Sequence, residues 1–256
     1  MARIGMQPKV SSVISVKSVV RRFTPVDSRV GWVAMTSNLL EAYERLLKAF
    51  GPQQWWPGDS PFEVLVGAVL VQNTAWRNVE RAIENLREAG VMEPKALYAV
   101  AAEELAELIR PAGYYQVKAR RLRNLLKFVV EEFDGSLDAM FHTTPLTLRE
   151  QLLKLNGIGP ETADAILLYA GGQPTFVVDT YTHRVLARHG WIGYDSDYHD
   201  IKDYFESTLP ADAPLYNEYH ALLVRVGKDY CKRTAPKCEA CPLRDMLPSS
   251  GIVEPM

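Results

Sequence analysis

The sequence has few cysteines and no long apolar run. Its three cysteines all lie between residues 231 and 241. A membrane-spanning helix needs about 20 consecutive, mostly apolar residues, and no such run is present, so we expect no membrane partner. The N-terminus also lacks the short apolar core of a secretory signal, which predicts an intracellular protein. Disulfides are not expected, because a reducing compartment disfavours them.

The sequence also has little net charge, −2 at pH 7. Proteins that bind nucleic acid non-specifically often carry a basic excess, but the local charge decides whether a surface binds phosphate. Basic residues concentrate on one predicted helix, at Lys118, Arg120, Arg121, Arg123 and Lys127. On a helix they would form one basic face, which would either bind phosphate or simply be solvated.

Strand signals are scarce, and only residues 175–178 read as extended. Apolar residues instead recur at helical spacing, which predicts an all-α fold. The predicted helices cover 39–50, 62–71, 76–89, 102–109, 114–132, 146–155, 160–170, 180–189, 197–208 and 214–228. Residues 1–35 read as a flexible basic extension, and the capping residues Thr36, Ser37 and Asn38 predict that the first helix begins after it.

The most informative segment is Leu152–Ile166, in which two predicted helices are joined by Asn156-Gly157-Ile158-Gly159. Two glycines allow a tight turn and a close approach to a ligand. Pro160 then opens a helix whose free amides favour an anion. Ile158 is expected to pack between the helices. The segment could hold a phosphate, or it could be a plain corner between two helices.

Asp179 follows three apolar residues and heads the next predicted helix. An aspartate at this position is a good N-cap, which is a sufficient structural reason for it. It also comes 20 residues after Gly159. A carboxylate at that place can face a sugar whose backbone the turn holds.

The pattern Leu155-x-Gly157-x-Gly159-x-x-Thr162-Ala163, followed by Val178-Asp179-Thr180, resembles the helix-hairpin-helix DNA glycosylase superfamily, which includes endonuclease III and the adenine glycosylases. The resemblance covers about residues 60–242. It implies that the hairpin residues Gly157, Ile158, Gly159 and Thr162 grip double-stranded DNA and that Asp179 is catalytic. It also implies that the damaged base is flipped out of the duplex, and that Gln72 fills the gap left behind.

The resemblance further implies two lobes with a DNA cleft between them. A six-helix domain would cover residues 58–170 and end in the helix-hairpin-helix at 146–170. Residues 36–57 and 171–256 would form the second helical domain, which carries a cysteine loop at 231–247. We expect a monomer.

Glu161 stands where the bifunctional members of the superfamily carry a lysine. A lysine amine can attack the sugar and form a Schiff base that leads to strand cleavage, and a carboxylate cannot. The sequence therefore predicts a monofunctional glycosylase that uses water.

An easily displaced leaving group, such as an alkylated purine, suits a site with a single evident catalytic group. Trp55, Trp56 and Trp76 could stack on such a cationic base or could simply pack in the core. The Trp55-Trp56-Pro57 segment resembles the 3-methyladenine glycosylase branch. Alternatives are a mismatch adenine, uracil or thymine glycosylase, an endonuclease III-like glycosylase and lyase, and a DNA-binding module without catalysis.

The spacing Cys231-x6-Cys238-x2-Cys241 resembles the iron–sulfur loop of the same superfamily, which predicts a [4Fe–4S] cluster. Leu247 stands at the position of the fourth cysteine, and such a cluster normally takes four thiolates. The open readings are a non-cysteine fourth ligand such as Asp245, a three-iron or labile cluster, and a loop that folds without metal.

Overall fold

The computed structural model describes residues 30–255, with side chains from Asn38 onward, and the described residues from 35 onward form one compact unit. Residues 1–29 of the predicted extension lie outside the residues that the structure describes. Twelve α-helices cover most of the described chain, and no strand is present in it. None of these helices is long and apolar enough to cross a membrane. The predicted all-α fold is confirmed, whereas the division into two domains stays a prediction.

The helices are α1 (Val30–Phe50), α2 (Pro61–Leu70), α3 (Trp76–Glu88), α4 (Pro94–Ala99), α5 (Ala102–Leu108), α6 (Tyr115–Phe133), α7 (Leu137–Phe141), α8 (Pro145–Leu153), α9 (Pro160–Ala165), α10 (Thr180–Arg188), α11 (Tyr198–Thr208) and α12 (Ala213–Asp229). A π-helix, Ile166–Ala170, continues α9 directly. The start predicted for α1 is wrong, because the helix already begins at Val30. Ser, Thr and Asn cost only fractions of a kcal/mol inside a helix, so these residues do not have to end it.

Helix α2 is buried along its length because almost every residue in it is apolar. The Ser60 hydroxyl caps it by accepting from the Glu63 amide at 3.2 Å, and Pro61 occupies the first turn. The helix packs against α6, α9 and the π-helix. It therefore connects α6 to the second helix of the hairpin.

A second part of the core is aromatic. Phe176 stacks on Phe205 with ring centroids 3.7 Å apart, and Tyr216 and Tyr219 contact the same ring edge-on. The Tyr219 hydroxyl donates to the Leu39 carbonyl at 2.8 Å. These contacts fix α1, α11 and α12 around the segment that leads to Asp179.

A buried ionic network joins the hairpin helices to α11. The fully buried Asp164 carboxylate accepts two hydrogen bonds from Arg149, at 2.7 and 3.0 Å, and one from the Tyr198 hydroxyl at 2.8 Å. Thr175 donates to the same carboxylate at 3.2 Å, and the Lys202 ammonium lies 3.9 Å away. The orientation of α8 and α9 relative to α11 is thus set by polar contacts as well as by packing.

The single basic face predicted for α6 does not form. Lys118 is buried and donates to the carbonyls of Leu70 and Ala112, both at 2.8 Å. Arg123 donates to the Val100 carbonyl at 2.6 Å, and Arg121 is bound to Gln72. Three of the five basic residues therefore bind carbonyls or a side-chain amide inside the protein, which sequence spacing alone does not indicate.

Candidate active site

The glycine turn between α8 and α9 is a tight hairpin. Gly157 has φ +97°, and a side-chain carbon there would lie 2.2 Å from Arg121 Cγ. Both the backbone angle and the neighbouring arginine therefore require glycine. Ile158 is 5% exposed and packs inward, as expected. Gly159 is the N-cap of α9 and provides no side-chain cap for its amides.

Gln72 lies against this hairpin. Its side-chain amide donates to the Gly157 carbonyl at 3.2 Å and to the Thr162 hydroxyl at 2.9 Å. Its carbonyl accepts from Arg121 at 2.5 Å. The turn after α2 and the hairpin are thus directly linked through one side chain.

A cleft of about 1140 Å³ opens beside the hairpin. Its lining includes every residue predicted for catalysis, DNA contact and the base pocket, namely Trp55, Trp56, Gln72, Trp76, Gly157, Ile158, Gly159, Thr162 and Asp179. The fold therefore brings together residues that are more than 120 positions apart in the sequence.

Trp56 is the centre of an aromatic group on one wall of the cleft. Its ring meets Trp76 edge-on at 5.0 Å and Trp55 edge-on at 5.7 Å. Tyr169 lies against it at 5.1 Å. Within the described residues the buried indole nitrogens of Trp56 and Trp76 have no hydrogen-bond acceptor. This wall thus offers aromatic surface to the cleft, whereas the two N–H groups are enclosed by protein atoms.

Asp179 caps α10 and also faces the cleft. Its Oδ1 accepts from the Thr182 amide at 2.7 Å and from the Thr182 hydroxyl at 2.9 Å. Its Oδ2 lies 3.7 Å from His220 Nε2. Burial alone would raise the pKa of Asp179, but His220 and the Thr182 donors outweigh burial and hold the pKa below its ordinary value. The carboxylate is therefore ionised at neutral pH.

Two neighbours of Asp179 were not predicted from the sequence. The Tyr169 hydroxyl lies 2.5 Å from His220 Nδ1, and the His220 side chain is nearly buried. The sequence does contain one signal for His220, because this residue lies on the buried apolar stripe of α12 with Tyr216, Tyr219 and Leu223. A polar ring on a buried face needs partners, but the sequence does not say which ones.

Glu161 lines the same cleft at the start of α9. Its side chain is open to the cleft, yet it lies deep enough that burial and the charge of Asp179 raise its pKa, partly opposed by His220. The environments of Glu161 and Asp179 thus move their pKa values in opposite directions. Such a pair suits one carboxylate that stays ionised and one carboxyl group that holds a proton more readily.

The three cysteines surround a small cavity of about 10 Å³ that Leu247 and Arg188 also line. Arg188 donates to Cys231 Sγ at 3.5 Å and to the Lys232 carbonyl at 2.7 Å. Burial raises the pKa of the Cys238 and Cys241 thiols.

The residues around this cavity supply three of the four thiolates that a [4Fe–4S] cluster normally takes, because Leu247 has no donor atom. Asp245 does not replace the fourth ligand, because its side chain is 78% exposed and faces Arg45 at 3.6 Å. Among the described residues, no three His, Cys, Asp or Glu side chains are arranged to hold a single metal ion.

A glycine hairpin beside a cleft, with an ionised aspartate and aromatic rings inside it, places this protein in the class of helix-hairpin-helix DNA glycosylases. The family profile of the HhH-GPD superfamily of base excision DNA repair proteins matches residues 66–211, which is more than half of the chain. The chain belongs to this superfamily.

Relatives and solved structures agree with this assignment. A Methanocaldococcus jannaschii protein assigned as a DNA repair glycosylase is 46% identical over 209 residues, which cover 81% of this chain and 94% of that protein. The Helicobacter pylori 3-methyladenine DNA glycosylase, solved with 1,N6-ethenoadenine, is 32% identical and has a TM-score of 0.65, covering 76% of this chain and 97% of that one. An endonuclease III in a non-covalent DNA complex is 26% identical and has a TM-score of 0.71, and the match covers 83% of this chain and 94% of that one.

Proposed function

We propose that this DNA glycosylase is monofunctional and that Asp179 drives hydrolysis of the bond between a damaged base and its deoxyribose. The observation that carries the proposal is an ionised carboxylate that opens into a cleft between the glycine hairpin and the tryptophans. The cleavage has an oxocarbenium-like transition state, and a fixed anion stabilises positive charge that develops on the sugar.

The hairpin and Gln72 have separate roles in this proposal. The backbone amides of Gly157 and Gly159 hold a phosphate of the damaged strand beside the start of α9. Pro160 has no N–H, and the Ile158 amide already donates to the Leu155 carbonyl at 3.0 Å. Gln72 enters the space that the flipped nucleotide leaves. Its contacts to Gly157 and Thr162 keep it beside the held strand.

Water is the nucleophile in this proposal, because Glu161 cannot form a Schiff base. Asp179→Asn tests the role of the charge. We expect base release to be lost while DNA binding remains, and unchanged release would contradict the mechanism. Borohydride should trap no covalent complex with DNA, and a trapped complex would show that the enzyme is bifunctional.

We propose an alkylated purine as the substrate. Such a base carries positive charge, and each favourable contact with an aromatic face contributes about 0.5–2 kcal/mol. Trp56, Trp76 and Tyr169 provide this surface. The Helicobacter pylori relative, whose name gives 3-methyladenine as its substrate, supports the same choice.

One observation favours a second candidate, a neutral base with hydrogen-bond acceptors such as uracil or thymine. Glu161 lines the cleft, and burial and the charge of Asp179 raise its pKa, so its carboxyl group can donate a hydrogen bond to an acceptor on such a base. Duplexes that contain 3-methyladenine, 1,N6-ethenoadenine, uracil, mismatched thymine or mismatched adenine separate the candidates. Release of methylated purines alone supports the first, and release of uracil or thymine alone supports the second.

For the cysteine loop we propose an iron–sulfur cluster bound through the three thiolates of Cys231, Cys238 and Cys241. The proposal rests on their spacing and on their shared cavity. No step of base removal depends on the cluster. Iron and sulfide analysis of purified protein tests it, with Cys238→Ser as the comparison. Protein that is free of iron after anaerobic purification would contradict it.

A further inference from the structure

His220 is held in one orientation and, by its surroundings, in one tautomer. Its Nδ1 lies 2.5 Å from the Tyr169 hydroxyl, and its Nε2 faces Asp179 Oδ2 at 3.7 Å. A lone pair on Nε2 would point at an anion, so Nε2 carries the proton and Nδ1 accepts from the tyrosine. Within the described residues the buried Nε2 has no hydrogen-bond partner. It is an unused donor directed at the proposed catalytic carboxylate.

The backbone brings Tyr169 to this position. The residue lies in the π-helix Ile166–Ala170, where the Gly171 amide donates to the Ile166 carbonyl at 3.1 Å. The wider turn changes the direction of a side chain relative to a regular α-helix, and π-turns often occur at functional sites. Tyr169 thereby contacts both Trp56, at 5.1 Å, and His220.

We propose that Tyr169 and His220 are positioning residues that keep Asp179 ionised and oriented toward the sugar, and so set the lower pH limit of base release. This inference rests on the proposed glycosylase function. The tyrosine fixes the ring, and the ring presents a donor to the oxygen of Asp179 that Thr182 does not bind. Both residues act through Asp179 and need no contact with the reacting atoms.

Other groups around the carboxylate do not provide this effect. Glu161 on α9 is a like charge and disfavours the anion. On α10 and α11, Tyr181 and Tyr198 line the cleft and supply no positive charge, and on α12 Lys228 is an exposed part of the lining. Without His220, a half-buried aspartate next to a glutamate would take up a proton at a higher pH.

The test is the pH dependence of single-turnover base release with enzyme in excess. Release requires ionised Asp179, so the rate rises as pH rises through its pKa. With His220→Leu we expect this rising limb to move up by about one pH unit, since an opposite or donor group near a carboxylate changes its pKa by roughly that much. At a fixed pH below the limb, the rate of the His220→Leu variant should then be about tenfold lower than that of the wild type. Tyr169→Phe should move the limb in the same direction by less, and His220→Gln, which restores a side-chain donor, should move it partly back.

Tyr219→Phe is the matched control. Tyr219 precedes His220 on α12, and its buried hydroxyl bonds the Leu39 carbonyl, away from the cleft. We expect lower thermal stability and an unchanged pH profile. If His220→Leu does not fold, Tyr169→Phe decides the question, because it keeps every ring in place.

Equal loss of rate at all pH values, with no movement of the limb, would overturn the inference. A wild-type enzyme that releases no base at any pH would instead overturn the proposed function. The two failures are therefore distinguishable.

Discussion

At the scale of single residues, Gly157 is constrained by its left-handed backbone angle and by the Arg121 side chain that lies over it. Gly51 is also left-handed, at φ +69°, but has open space around it. The two positions separate the cost of the backbone angle from the cost of the clash.

We therefore expect Gly157→Ala to lower both the free energy of unfolding and the affinity for DNA, whereas Gly51→Ala should cost only about 1–2 kcal/mol of stability. Chemical denaturation and fluorescence titration with an abasic duplex measure the two quantities. Arg121→Ala combined with Gly157→Ala should recover part of the lost stability. If Gly157→Ala and Gly51→Ala lowered the free energy of unfolding equally, the contact with Arg121 would have no effect on stability.

Lys118 gives a second prediction at this scale. Burial, together with the nearby charge of Arg121, lowers the pKa of Lys118 to about 8 from 10.5. Between these values the unfolded chain binds the proton and the folded chain does not, so this group makes stability rise with pH. Relative to Lys118→Met, the wild type should become more stable between about pH 8 and pH 10.5. Urea unfolding at a series of pH values measures this difference. The prediction is contradicted if the unfolding free energies of the wild type and of Lys118→Met change with pH in parallel.

The residues that carry the hairpin motif could be predicted from the sequence because they are close together and chemically distinctive. Gln72, Asp179 and the three tryptophans were also predicted, and the structure lines one cleft with them. Their roles stay predictions. His220 and Tyr169 were missed because they are 51 residues apart, and they meet only through the packing of two elements.

At the scale of elements, the ionic network around Asp164 holds α8, α9 and α11 together. Removing one partner of a buried pair leaves an uncompensated charge and costs about 3–5 kcal/mol. Asp164→Ala should therefore lower the free energy of unfolding by roughly that amount. Asp229→Ala is the control, because its pair with Arg225 is half exposed and should be worth at most about 1 kcal/mol. A small effect of Asp164→Ala would show that packing alone orients these helices.

Helical periodicity predicted most elements, and the errors have local causes. The first helix runs through residues that read as caps, and the second hairpin helix widens into a π-turn at Ile166. Neither feature has a periodic signature in the sequence. The predicted basic face of α6 does not form because the carbonyls of Leu70 and Ala112 bind Lys118 and the carbonyl of Val100 binds Arg123.

At the scale of the whole molecule, a net charge of −2 requires that DNA be bound by a few local cations. Lys228 is exposed and lines the cleft. Lys228→Gln should weaken DNA binding and lower the slope of log K against log salt by about 0.9. Lys127, which pairs with Glu131 at 3.8 Å and does not line the cleft, is the control and should leave the slope unchanged. Equal slopes for both variants would place the bound strand elsewhere.

The hydrogen bonds of Gln72 to the hairpin have a consequence for how such an enzyme inspects long DNA. In the proposed complex, the spacing between the side chain that parts the base pairs and the turn that grips the strand is already fixed in the free protein. The entropy of ordering that glutamine is lost during folding and not again at each nucleotide. Scanning along a chromosome would then be limited by sliding and by the opening of weak base pairs, rather than by rearrangement of the protein.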